Sequence, residues 1–139
     1  MDECHKPGTG HQEQHHKEPL ESLAKILIIS LFQGVERLRK GCDGKHADAC
    51  HHLSALYMED SHDKQVVSKD MKKAFEYAVK ACDLGNIYAC VNVSIMYMRG
   101  DGVEKDQKQS DKYKNIAIEK KKEAEKAKQL VFQEGLKPA

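Results

Sequence analysis

Five cysteines and eight histidines are the residues of this 139-residue chain best suited to redox or metal chemistry. Four of the cysteines form two like pairs, Cys42 with Cys50 and Cys82 with Cys90, each with seven residues between its members. In each pair one cysteine closes a helical stretch and the other opens the next, across an Asp43-Gly44 or Asp83-Leu84-Gly85 turn. Neighbouring helices can bring such residues within the roughly 4.4 to 6.8 Å between Cα atoms that a disulfide spans. The spacing therefore predicts bridges Cys42–Cys50 and Cys82–Cys90, each disfavouring the unfolded chain by about 2.5 kcal/mol through loop closure. Buried free thiols are the alternative, as in a reducing compartment. Zinc fits less well, because its cysteine ligands usually stand two to four residues apart. Cys4 has no partner at the matching distance, where Gln12 stands.

The histidines offer weaker signals. His51 and His52 follow Cys50, with His46 and His62 nearby, and His11, His15 and His16 share the N-terminal stretch with Cys4. Adjacent residues on a helix point about 100° apart, so His51 and His52 cannot chelate from one face, and no metal site is expected. Net charge is +1, with 23 basic against 22 acidic residues, so no global field draws in nucleic acid or an anionic membrane. The lysines at 120 to 122 are interleaved with Glu119, Glu123 and Glu125 and lack aromatic neighbours for base stacking, which describes a solvated helix. Partners are therefore expected to be proteins recognised by shape. Met58, Met71, Met96 and Met98 are expected to fill the core.

These residues must be held by helices. Lys, Glu, Ala and Leu are abundant, prolines number three, and no stretch alternates apolar with polar residues long enough for a strand. The chain is expected to be all-α, and internal repetition sets its architecture. Lys40, Cys42, Asp43, Ala49, Cys50, Ser54, Tyr57 and Met58 recur 40 positions later as Lys80, Cys82, Asp83, Ala89, Cys90, Ser94, Tyr97 and Met98. Beyond these the offset falls to 36, since Asp70 and Tyr77 match Asp106 and Tyr113, which places a four-residue loop insertion in the first repeat. Each repeat resolves into two helices. The first carries an inward stripe (Leu53, Leu56, Tyr57; then Val93, Met96, Tyr97). The return helix is capped by Asp70 or Asp106, and Ala74, Phe75, Ala78, Val79 and Ala81 give the first one a face for close packing. Antiparallel pairs of this size stack into an α-solenoid. The expected division is a disordered tail over 1–19, a leading helix over 20–41, repeats over 42–82 and 83–118, and a charged cap helix and tail over 119–139.

The string Asp101-Gly-Val-Glu-Lys-Asp106 behind Met96-Tyr97-Met98-Arg-Gly100, followed by Lys108 and Tyr113, resembles the Sel-1-like repeat signature, itself tetratricopeptide-like in architecture. Together with Lys80-Ala-Cys-Asp-Leu-Gly-Asn-Ile-Tyr-Ala-Cys90 and Asn92-Val-Ser94, it resembles the cysteine-rich branch that includes cytochrome c oxidase assembly factors of the mitochondrial intermembrane space, over about residues 37–128.

That resemblance implies a non-enzymatic scaffold for building respiratory-chain complexes, imported by the oxidative import machinery and binding assembly intermediates. A thiol-disulfide or haem-linked redox factor, or an adaptor of the cytosol or endoplasmic reticulum, is the alternative. Haem has been linked to the family, but no axial ligand transfers here and no cofactor is expected. Bacterial relatives once described as β-lactamase-like imply no activity, since no nucleophile constellation, Ser-x-x-Lys included, is expected. The start shows neither a secretory signal nor an Arg-rich presequence. The apolar run 20–32, interrupted by Glu21 and Lys25, falls short of the roughly 18 to 20 residues of a membrane span and is expected to be a buried helix. Family members carry about five repeats, so a chain of two and a fragment is expected to be truncated, with Cys4-His-Lys-Pro-Gly8 resembling the end of a missing repeat.

Overall fold

The computed structural model describes residues 8–59 and 66–135, with side chains from residue 21 onward. Cys4, His5 and His62, the side chains of His11, His15 and His16, most of the expected loop insertion and the last four residues lie outside the described part. The described elements are five helices: α1 (Gly8–Asp43), α2 (Ala47–Met58), α3 (Met71–Asp83), α4 (Ile87–Arg99) and α5 (Gln107–Gln133). Each packs on the next, so that α2/α3 and α4/α5 are the two repeat units and α1 leads into the first.

Local chemistry sets the helix ends. Asp70 and Asp106 accept from the backbone N–H of Lys73 and Gln109, each at 3.2 Å, and Asn86 accepts from Ala89 at 2.9 Å. At the other end of α4, Gly100 adopts the left-handed conformation at φ 78°, and its N–H returns to the Met96 carbonyl. Gly102, also left-handed at φ 71°, lies so close to the start of α3 that a Cβ would run into the backbone of Met71 and Lys72.

The core follows the stripes expected from the repeats. Leu53, Val93, Ala74, Ala78 and Ala81 are wholly buried, and the alanines let α3 lie close between α2 and α4. Met96 is buried and Met58 and Met71 pack against the core, but Met98 is 43% exposed, contrary to the expectation for that methionine.

Two N-terminal expectations need correction. Helix α1 begins at Gly8, inside the stretch expected to be a disordered tail, and continues unbroken through the leading-helix segment. Gln, Glu, His and Lys extend an existing helix at little cost per residue once the apolar stretch behind them has nucleated it. The apolar run is not buried: Leu23, Ile26, Leu27, Ile29, Leu31 and Phe32 are each more than half exposed. The physical reason is length, because α2 has 12 residues against the 36 of α1 and covers only its last turns. Helix α5 likewise runs through residue 119 without a break.

Candidate functional site: paired cysteines and a tyrosine-lined groove

The two cysteine pairs sit where the repeats meet. In the first, the Sγ atoms of Cys42 and Cys50 are 2.10 Å apart and the Cα atoms 4.6 Å. In the second, Cys82 and Cys90 give 2.11 and 4.7 Å. Both pairs are thus at disulfide distance, and each joins the end of a return helix to the first turn of the next repeat. All four cysteines are at most 1% exposed. Close approach is built in beside each pair, because a Cβ on Gly41 would stand 2.9 Å from the Cβ of Ala49. At the equivalent place in the next repeat, Ala81 and Ala89 are fully buried. Ile118 occupies the position 36 residues after Cys82, so the series of cysteines stops there and α5 continues.

Serines and tyrosines tie each pair of helices together. The Ser54 hydroxyl donates to the Ala74 carbonyl at 2.7 Å, and the Ser94 hydroxyl to the Ser110 carbonyl at 2.8 Å. Tyr57 stacks on Tyr77 with centroids 5.7 Å apart, and Tyr97 on Tyr113 at 5.8 Å. Phe75 meets Tyr97 edge-on at 5.2 Å, which joins the first repeat to the second. Burial, with Asp83 and Tyr97 nearby, pushes the Tyr113 phenol above its usual range and keeps it neutral. Repetition alone marked Ser54, Ser94 and the tyrosines. Arg39 was missed, having no counterpart at the 40-residue offset, where Val79 stands.

Arg39 donates to the Tyr57 hydroxyl at 3.1 Å and to Glu36 at 2.7 Å. Lys73 lies 5.5 Å from the Tyr57 ring centroid, and Lys80 approaches Asp43 at 3.7 Å. Arg39, Asp43, Lys73, Glu76 and Lys80 line a groove between α1 and α3 with Tyr57 and Tyr77 as its floor. Arginine over a tyrosine floor with a charged rim is the composition of many protein-binding hot spots.

Two Ser-x-x-Lys strings do occur, correcting the expectation of none. Ser22 and Lys25 lie on the exposed part of α1, and Ser61 and Lys64 are outside the described residues. Among the described residues, no group of three His, Cys, Asp or Glu could hold a metal ion. The rings of His51 and His52 are 6.1 Å apart and tilted by 48°, so they do not form a pair of axial ligands. The buried Nδ1 of His51 has no hydrogen-bond partner. Desolvation, reinforced by His52 and opposed by Asp48, lowers its pKa below the usual 6.5. No helix among the described residues is long and apolar enough to cross a membrane.

Comparison with known proteins agrees with this geometry. The Sel1 repeat family model matches residues 47–86 and 87–110. A Drosophila melanogaster protein named cytochrome c oxidase assembly factor 7 homolog is 54% identical over 72 residues, 51% of this chain and 27% of the fly protein. Cytochrome c oxidase assembly factor 7A of Xenopus laevis is 32% identical over 136 residues, 96% of this chain and 54% of the frog protein. The chain thus spans about half or less of the length of these curated relatives. Among solved structures, Helicobacter pylori cysteine rich protein B aligns with TM-score 0.57 and 29% identity over 62% of each chain. A protective antigen of uropathogenic Escherichia coli with an SLR fold gives TM-score 0.56 and 28% identity, covering 64% of this chain and 18% of the antigen. With helix pairs, repeat spacing and curated relatives in agreement, the chain carries Sel1 repeats and resembles the cytochrome c oxidase assembly factor 7 proteins over the part of them that it spans.

Proposed function

We propose that this chain is a non-catalytic scaffold that binds proteins during cytochrome c oxidase assembly, and that it acts in the mitochondrial intermembrane space with both cysteine pairs oxidised. The observation that carries the proposal is the burial of all four repeat cysteines, each pair at disulfide distance across two successive helices. Cysteines used in redox catalysis need solvent access and a stabilised thiolate, whereas these are withdrawn from solvent between helices. Such placement supports a structural use, in a compartment that oxidises thiols. The printed names of the relatives support the assembly role. The groove of Arg39, Tyr57 and Tyr77 offers a surface on which a client could dock.

The test has two arms. Mass spectrometry of the chain isolated from mitochondria without reductant is expected to find Cys42, Cys50, Cys82 and Cys90 protected from alkylation. Affinity purification from the same fraction is expected to enrich cytochrome c oxidase subunits, and Tyr77→Ala is expected to weaken that enrichment. Four alkylatable cysteines in the folded chain would overturn the compartment. Unchanged recovery of subunits with the Tyr77 variant would move the client away from the groove.

A further inference from the structure

The two ends of the helix stack leave complementary apolar faces open. At the C-terminal end, α4 and α5 enclose a groove whose walls include Val91, Ile95, Met98 and Ile118. Repeat register shows what such a groove holds, because the equivalent groove between α2 and α3 is filled by α4. There Cys90 meets Cys82, Tyr97 meets Phe75, and Tyr88 approaches His51 at 6.4 Å. The occupant of such a groove is therefore a helix that packs beside the return helix and antiparallel to it. In the open groove the positions of Phe75, Ala78 and Gly85 are taken by Asp111, Lys114 and Lys121, all exposed. An apolar floor thus acquires a rim with one acidic end and one basic end.

At the N-terminal end, α1 projects past α2 with Ala24, Leu27, Ile28 and Leu31 spaced i, i+3, i+4 and i+7. Leu27 and Leu31 are 63% and 53% exposed. Glu21 and Lys25 lie along one edge of this stripe, one turn apart. With α1 antiparallel to α5, Glu21 points to the end held by Lys121 and Lys114, and Lys25 to the end held by Asp111. The parallel arrangement would set like charges together. The orientation demanded by the repeats is thus also the one favoured by charge.

We propose that the α4/α5 groove receives the projecting part of α1 from a second copy of this chain. The contact is heterologous, so it closes a dimer if both copies reciprocate and extends into a chain if they do not. Each exposed face is covered by the other without any third protein.

Sedimentation equilibrium of the purified chain over the micromolar range tests this. The weight-average mass is expected to rise with concentration from the monomer value of 15.7 kDa to at least twice that. Leu27→Glu and Ile95→Glu are each expected to weaken association about tenfold or more by placing a charge in an apolar contact. Circular dichroism checks that both variants keep their helices. Mixing the two variants is expected to restore pairs, since one intact α1 and one intact groove remain. Lys121→Glu is expected to weaken association and Glu21→Lys in the same chain to recover it. A monomer at every concentration would overturn the proposal. Association untouched by Ile95→Glu would also overturn it, as would association lost with Leu23→Glu but retained with Leu27→Glu.

Discussion

Ser94 and Ser110 exchange hydrogen bonds across the α4/α5 interface, each hydroxyl donating to the other's backbone carbonyl at 2.8 Å. Both side chains are at most 8% exposed. In the first repeat the same place holds a single bond, from Ser54 to the Ala74 carbonyl. Ser94→Ala should therefore cost about 1 to 2 kcal/mol, because a buried carbonyl loses its donor. Ser110→Ala should cost less, since it recreates the serine-to-alanine arrangement that the first repeat already uses. Urea unfolding followed by circular dichroism measures both, and equal losses would show that the second hydroxyl carries as much as the first.

The cysteine pairs make a prediction about where stability resides. If both are bridged, Cys82→Ala with Cys90→Ala should lower stability by about 2.5 kcal/mol from loop closure, plus the smaller packing loss of two buried sulfurs. Reductant should lower the melting temperature of the parent chain and leave that of a four-alanine variant unchanged. A parent chain indifferent to reductant would mean that the pairs are not bridged in solution.

Much of the architecture was legible because it repeats. Tyr57 and Tyr97 fixed one register, Asp70 and Asp106 another, and both return helices begin where those aspartates cap them. Helix α1 was less legible, since its first half contains Gly8, Gly10 and Pro19 and nothing in the residues themselves says how far α2 reaches along it. The turns misled in a subtler way. The first turn was read as Asp43-Gly44, yet the left-handed position falls on the next residue, Lys45, at φ 67°, where the second repeat has Gly85 at φ 108°.

That offset is testable. Lys45→Gly removes the strain of a side chain in the left-handed region, partly offset by the entropy of a glycine in the unfolded chain. A gain of a few tenths to about 1 kcal/mol is expected. Gly102→Ala should act in the opposite direction, by about 1 to 3 kcal/mol, because positive φ and the nearby Met71 backbone both oppose a Cβ. Paired denaturation curves decide, and a stabilising Gly102→Ala would mean that the α4–α5 loop does not rest on α3.

The last prediction concerns pH. The buried His51 Nδ1 lacks a partner, and desolvation lowers the pKa of the ring in the folded chain below 6.5. The unfolded chain, with its ordinary histidine, takes up the proton first as pH falls. Between 6.5 and the lowered folded value the unfolded state therefore binds more protons, so folding stability declines with acidification. Above that window the contribution is fully present; below the folded value no more is lost. Because the chain carries seven other histidines, the informative quantity is a difference. His51→Val, which copies Val91 at the equivalent site, should flatten the fall in melting temperature between about pH 7 and pH 5 relative to the parent chain. Parallel curves would show that His51 meets water freely in the folded chain and that its ring is not confined between Asp48, His52 and Tyr88.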